Sequence, residues 1–162
     1  MSTTDVQASP SSRSVDLTCR LVDGPGEIAL HHAVRRQVFV VEQRLFEVDD
    51  RDEHDADPAT RHVLGLVDGV AGGAVRLYPL GEPGLWKGDR LAVLAAFRRH
   101  GLGAPLVRFA VQTASALGGY QMIAYIQLPN VAFFTRLGWH PVGDPARYVG
   151  VMHQQMAIRL GR

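Results

Sequence analysis

The chain has 162 residues, 46% of them hydrophobic and 20% charged, the make-up of one folded domain large enough to bury a core. Its formal net charge of +1 exerts no pull toward nucleic acid or anionic membranes, and no apolar run approaches the roughly 18 residues of a membrane span. The sole cysteine, Cys19, excludes an intrachain disulfide and fits a reducing, cytoplasmic setting.

Residues 1–14 are polar, rich in Ser and Thr and without an apolar signal segment, so they read as a disordered tail before one domain, 15–162. Val15 to Val22 alternates as a first strand, and Asp23-Gly-Pro-Gly26 closes it. Cys19 falls in that alternation as a buried structural thiol. From Glu27 the period turns helical. Ile28, Val34, Val38, Val41 and Leu45 predict one long or two short amphipathic helices reaching about Phe46. His31 and His32 are adjacent, so on a helix they face different ways and make no metal pair.

An acidic stretch follows, Asp49-Asp-Arg-Asp-Glu-His-Asp-Ala-Asp-Pro58. It reads as a solvated turn, as a collar attracting a cation, or as metal ligands together with His54. Its spacing fits no EF-hand, because His54 stands where that loop needs glycine, and no metal site is assigned. His62 to Val67 and Val70 to Tyr78 are strands joined at Asp68-Gly69, a two-residue hairpin signal. Trp86 to Phe97 is the next strand.

A glycine junction, Arg98-x-x-Gly101-x-Gly103, then opens a helix with Leu102, Leu106, Phe109, Ala110, Thr113 and Leu117 on one face, stopped by Gly118-Gly119. Gln121 to Gln127 is a short strand, and Pro129-Asn130 starts a short helix to about Leu137. Trp139 to Val142 and Val151 to Leu160 are the last strands. In the latter, Met152, Gln154, Met156, Ile158 and Leu160 alternate with His153, Gln155, Ala157 and Arg159. This order predicts an α/β fold with a central mixed sheet of about seven strands flanked by helices.

The glycine junction carries the chemistry. Glycines there let backbone N–H groups turn toward a ligand, and the helix start adds a positive dipole end, so the junction suits an anion such as a pyrophosphate. The spacing is neither the Rossmann G-x-G-x-x-G nor a P-loop. It resembles the pyrophosphate loop of the GNAT superfamily of N-acetyltransferases, Gln/Arg-x-x-Gly-x-Gly/Ala. Phe133-Phe-Thr-Arg-Leu-Gly-Trp139 looks like that family's Phe-Tyr-x-x-x-Gly-Phe. Arg35-Arg-Gln-Val-Phe-Val-Val-Glu-Gln43, the acidic loop, Arg61-His62 and His153-x-x-Met156 look like its ElaA-type subgroup. The element order is also similar, over nearly everything after the tail.

The resemblance implies transfer of an acetyl group from acetyl-coenzyme A to the amine of a small molecule, by direct attack in a ternary complex. It assigns coenzyme binding to Leu91, Val93, Arg98, Arg99, His100, Gly101, Leu102, Gly103, Ala104, Gln127 and Phe133. The backbone N–H of Val93 would polarise the thioester carbonyl and hold the tetrahedral oxyanion. Departures from the family pattern are Arg99 in place of a frequent glycine and Ala95-Ala96 in place of a proline. Phe134 stands where a tyrosine commonly protonates the departing thiolate; Tyr125 or Tyr148 could supply that hydroxyl.

An alkylamine of pKa about 10.4 is protonated at neutral pH and needs a base. The subgroup resemblance points to His153 and Glu42, with Lys87 and Asp89 as weaker candidates. Gln127 could also contact the acceptor. Two rival readings remain open: a non-catalytic acyl-coenzyme A binding module, which Phe134 motivates, and an acyl-homoserine-lactone synthase, which shares Arg35-x-x-Val38-Phe39. Trp86 and Trp139 could serve a core or a homodimer interface.

Overall fold

The computed structural model describes residues 14–161, so the expected tail lies, Ser14 apart, outside the described residues. Strand β1 is Leu17–Leu21. Helix α1, Gly24–Arg36, starts at Asp23 with a proline in its first turn, and Glu27 accepts from the Asp23 N–H and from Arg20. It runs without a break into a π-helical turn, Gln37–Glu42. The expected helix is therefore one element, ending at Glu42 rather than Phe46.

The acidic stretch is not a simple loop. It contains a one-turn helix α2, Glu53–Ala56, closed by a capping box in which Asp52 accepts from the His54 N–H and Asp55 from the Asp52 N–H. Strands β2 (Arg61–Val67) and β3 (Val70–Pro79) form the expected hairpin. Asp68 and Gly69 both have positive φ, 49° and 80°, as its two-residue turn requires.

Strand β4 covers Leu85–Val93 and stops short of the expected Phe97. The apolar run Leu94-Ala-Ala-Phe97 instead enters a 3-10 turn, Ala95–His100. Phe97 packs so closely on Gly72 that a Cβ there would lie 2.8 Å from its ring. Gly101, at φ 73°, ends that turn, and helix α3, Gly103–Ala116, follows. Strand β5 is Gln121–Gln127 and helix α4 is Val131–Arg136. Strands β6 (His140–Pro141), β7 (Ala146–Tyr148) and β8 (Val151–Arg159) complete the chain. The expected strand at Trp139 shrinks to two residues, and β7 went unforeseen. Its hairpin turn puts Val149 at φ 51° before Gly150, and a β-branched residue gives no warning of a left-handed conformation.

The eight strands form one sheet in the order β1-β2-β3-β4-β5-β8-β6, with β7 also paired to β8. Among the paired strands only β4 and β5 run parallel. One face carries α3 and α4 over the larger core, which includes Leu102, Leu106, Met122, Phe134, Trp139 and Met156. Gly65 and Gly73 leave the room that Leu102 and Leu106 fill. The other face is covered by α1 and the π turn, whose Val34, Val38 and Phe39 pack on Ala74 and Ala92. Trp86 and Trp139 are both buried in the larger core, so neither supplies a free surface for a homodimer.

Candidate active site

Strands β4 and β5 pair only where Leu85–Lys87 meets Gln121–Ile123. Just beyond, β4 bulges against β3: the register jumps from Arg76–Asp89 to Ala74–Ala92, and Arg90 takes φ 54°. The two parallel strands diverge from there. An open cleft fills the splay, lined by Leu91, Tyr125, Gln127, Phe134, Trp139 and His153 among others.

The glycine junction lies beside this splay. The N–H groups of Gly103 and Ala104 open α3 and lack intrahelical partners by position, and Pro105 has no N–H to satisfy. The first bond of the helix is Leu106 N–H to the Leu102 carbonyl. A Cβ on Gly101 would meet nothing within 4 Å, whereas one on Gly103 would touch the ring of Phe133 at 3.4 Å. Phe133 thus packs against the helix start. Leu102 is fully buried, so only its backbone can face a ligand. Arg99 is exposed, and its Nε donates to His100 at 3.4 Å.

Val93 lies at the end of β4. The Leu94 N–H bonds the Gly72 carbonyl at 2.9 Å, so by antiparallel alternation the polar groups of Val93 turn away from β3. Its carbonyl accepts from Arg98 Nε at 3.0 Å, which leaves its N–H.

Arg98 and Glu42, foreseen in separate roles, meet each other. Arg98 Nη1 and Nη2 lie 2.6 and 2.7 Å from the two Glu42 oxygens. That bond holds the Glu42 carboxyl below its ordinary range and raises the Arg98 guanidinium. Glu42 is not among the cleft-lining residues, but its neighbour Gln43 is. Gln43 Oε1 accepts from Gln127 Nε2 at 3.1 Å, joining the end of the π turn to the end of β5.

His153 lies opposite Gln127 in the β5–β8 ladder and is nearly buried. Its Nδ1 is 2.8 Å from the Val151 carbonyl. A carbonyl only accepts, so Nδ1 carries a hydrogen, and in the neutral ring the lone pair sits on Nε2. Tyr148 presents its ring to His153 edge-on at 5.5 Å. Phe134 is buried, edge-on to Trp139 at 5.4 Å.

The acidic stretch proves to be half of an ion network rather than a solvated turn. Arg35 binds Asp50 (2.8 Å) and, through both terminal nitrogens, Asp55 (2.7 and 3.0 Å). Arg76 binds Asp52 (2.6 and 3.0 Å) and Asp89 (2.8 and 2.7 Å). Arg90 donates to Asp50 through side chain and carbonyl, both at 3.0 Å. Arg35 and Arg76 are fully buried. Burial pushes the Asp55 carboxyl up, but bonds from His62 and Arg35 outweigh it and hold it far below its ordinary range. Asp89 is therefore committed to Arg76. The network clamps the segment 43–52, whose Leu45 and Phe46 line the cleft; the Arg90 guanidinium lies 4.9 Å from the Phe46 ring centre.

His31, His32 and His62 cluster with ring centres 4.9–6.3 Å apart. Even so, among the described residues no three His, Cys, Asp or Glu side chains converge as metal ligands. No described helix is long and apolar enough to cross a membrane.

Sequence reading missed Gln43, Trp139 as a cleft wall, and the partners of the acidic loop. Arg76 was the available signal, a lone charge inside the apolar strand β3. Gln43 gave none, since its role depends on where β5 ends.

A family model described as the acetyltransferase (GNAT) family matches residues 28–139. The uncharacterized protein YyaT of Bacillus subtilis is 27% identical over 139 residues, covering 84% of this chain and 93% of its own. An acyl-CoA N-acyltransferase from Pseudomonas aeruginosa superposes with a TM-score of 0.70 at 26% identity, covering 89% of this chain and 99% of that one. Escherichia coli ElaA superposes with a TM-score of 0.76 at 21% identity, over 88% and 98% of the two chains.

Proposed function

Since the chain belongs to the GNAT acetyltransferase family, we propose that it transfers an acetyl group from acetyl-coenzyme A to a primary amine of a small molecule. The observation that carries this reading is the splay of β4 and β5. It opens a cleft that His153 lines, and α3, whose start suits an anion, contributes Val107 and Ala110 to the wall.

Acetyl-coenzyme A supplies an activated thioester and a leaving thiolate, whose thiol has an ordinary pKa of about 8.5. On the donor side, the N–H groups of Gly103 and Ala104 hold the pyrophosphate, Gly101 admits it and Phe133 fixes the helix start. Leu91 and Gln127 flank the pantetheine arm. Arg99 and His100 reach the phosphates from the surface, while Arg98 stays tied to Glu42 and the Val93 carbonyl. The Val93 N–H stabilises the oxyanion.

On the acceptor side, His153 Nε2 takes the proton from the ammonium. The free amine then attacks the acetyl carbon, a C–N bond forms, the C–S electron pair leaves with sulfur, and the second proton of the attacking nitrogen passes to the departing thiolate. Glu42 is left with a positioning role, because a carboxylate held down by Arg98 takes up a proton poorly. The leaving group needs no acid at Phe134.

The test is thiol release from acetyl-coenzyme A with a panel of primary amines, for the wild type and for His153→Gln. Amine-dependent release above hydrolysis that the variant loses supports the reading. Tight coenzyme binding with no release for any amine favours a non-catalytic coenzyme-binding module.

A further inference from the structure

Tyr125 on β5 and Tyr148 on β7 stand beside each other at the acceptor end of the cleft, with ring centres 6.4 Å apart and planes 22° from parallel. Each is 46% exposed, more than two core tyrosines would be. Both line the main cleft and a second hollow that continues from it past Ala146, Arg147 and Gln155.

We propose that these two rings are the specificity element of the acceptor site, and that the acceptor is an arylalkylamine whose flat ring lies between them. The inference rests on the acetyltransfer reading above and deepens it. A guest ring stacked on two faces needs about 7 Å between them, at roughly 3.5 Å per contact. The ring centres lie 6.4 Å apart and both side chains are half-exposed, so rotation about their side-chain bonds can part the two faces to that width.

The surroundings favour a ring over an alkyl chain. Lys87 Nζ lies 5.0 Å from the Tyr125 ring centre, and His153 meets Tyr148 edge-on. Their neighbours thus steady the two rings, as a stacking slot needs. His153 Nε2, the proton acceptor, is then one ring away from the slot. A short linker between aryl ring and amine spans that step. Lys87 also discourages placing the acceptor's own cation against Tyr125 in place of its ring.

The probes are 2-phenylethylamine and n-hexylamine, primary amines of similar apolar size that differ in flatness. Binding of each to the protein saturated with coenzyme A is measured by ligand-observed NMR, alongside turnover with acetyl-coenzyme A. Stacking on two tyrosines predicts roughly tenfold tighter binding of the aryl probe. That ratio collapses toward one in Tyr148→Leu and Tyr125→Leu and survives in Tyr148→Phe, which keeps the ring. Thermal stabilisation by coenzyme A reports that each variant is folded. Equal binding of the two probes to the wild type, or an aryl preference that survives both leucine variants, overturns the proposal. Aryl-selective, tyrosine-dependent binding without turnover upholds the slot and removes the transferase reading. Turnover of hexylamine alone does the reverse.

Discussion

Glu42 and Arg98 lie 56 residues apart in sequence and meet through two contacts of 2.6 and 2.7 Å, tying the π turn to the glycine junction. Both side chains remain substantially exposed. The pair therefore contributes little to stability and much to where the loop's positive charge points. In Glu42→Gln, coenzyme A should bind about two- to fivefold more tightly, since Arg98 is released toward the phosphates. Turnover should stay within roughly tenfold of wild type. A loss of a hundredfold or more, with coenzyme binding unchanged, would instead return Glu42 to the role of base. Titration calorimetry and initial rates separate the two outcomes.

His153→Gln should lower kcat by about 10²–10⁴-fold while leaving the thermal shift caused by coenzyme A intact. The residue lies at the acceptor end, away from the helix start. Loss of coenzyme binding in that variant would show that the ring supports the fold of the cleft rather than the chemistry.

The buried ion network should not tolerate removal of the Asp55 carboxylate. Asp55→Asn leaves Arg35 and Arg76 each short of a partner in the interior, a change that typically costs about 3–5 kcal/mol. At this chain length that is a fall in Tm of about 10 °C. A fall of only a degree or two would mean that the site is hydrated.

His31 makes stability depend on pH in a defined window. Burial first, with the Arg35 charge beside it, pulls its pKa from 6.5 to about 3 despite the bond from Nε2–H to the Val75 carbonyl. The unfolded chain therefore binds a proton that the folded one refuses between those values, and stability falls as pH drops through that window. The slope from this one group is about 1.4 kcal/mol per pH unit. The depressed carboxylates Asp52 and Asp55 add their loss only below their ordinary value of 3.8. Urea unfolding at pH 6.5, 5.5 and 4.5 should show the slope in the wild type, and His31→Leu should flatten it by about one proton. An unchanged slope would place the titration elsewhere.

Much of the fold was legible because its signals are local. Asp68-Gly69 dictates a hairpin turn, the glycine junction separates β4 from α3, and alternation marks β5 and β8. The failures share a cause, since each depends on partners distant in sequence. Phe97 leaves its strand to pack on Gly72, and β7 exists because β8 offers it an edge. Asp50, Asp52 and Asp55 look like a solvated turn until Arg35, Arg76 and Arg90 arrive from three other elements. At the site, the glycine spacing marks the turn between β4 and α3, and the coenzyme-binding role expected of it comes from the family resemblance. The Gln43–Gln127 bridge, the tyrosine pair and the tautomer of His153 all required the register between strands.

The most direct test of the central claim is the affinity for acetyl-coenzyme A of the wild type, Gly101→Asn and Gly101→Asp. Both variants bear the same strain at φ 73°, and open space surrounds the new side chain, so they differ in charge alone. A carboxylate about 4 Å from one phosphate charge costs about 4 kcal/mol at an effective dielectric constant of 20. The account predicts measurable binding by the wild type, a loss of no more than about tenfold in Gly101→Asn, and a loss of more than a hundredfold in Gly101→Asp. Equal affinity of the two variants, or no binding by the wild type at millimolar ligand, would contradict it.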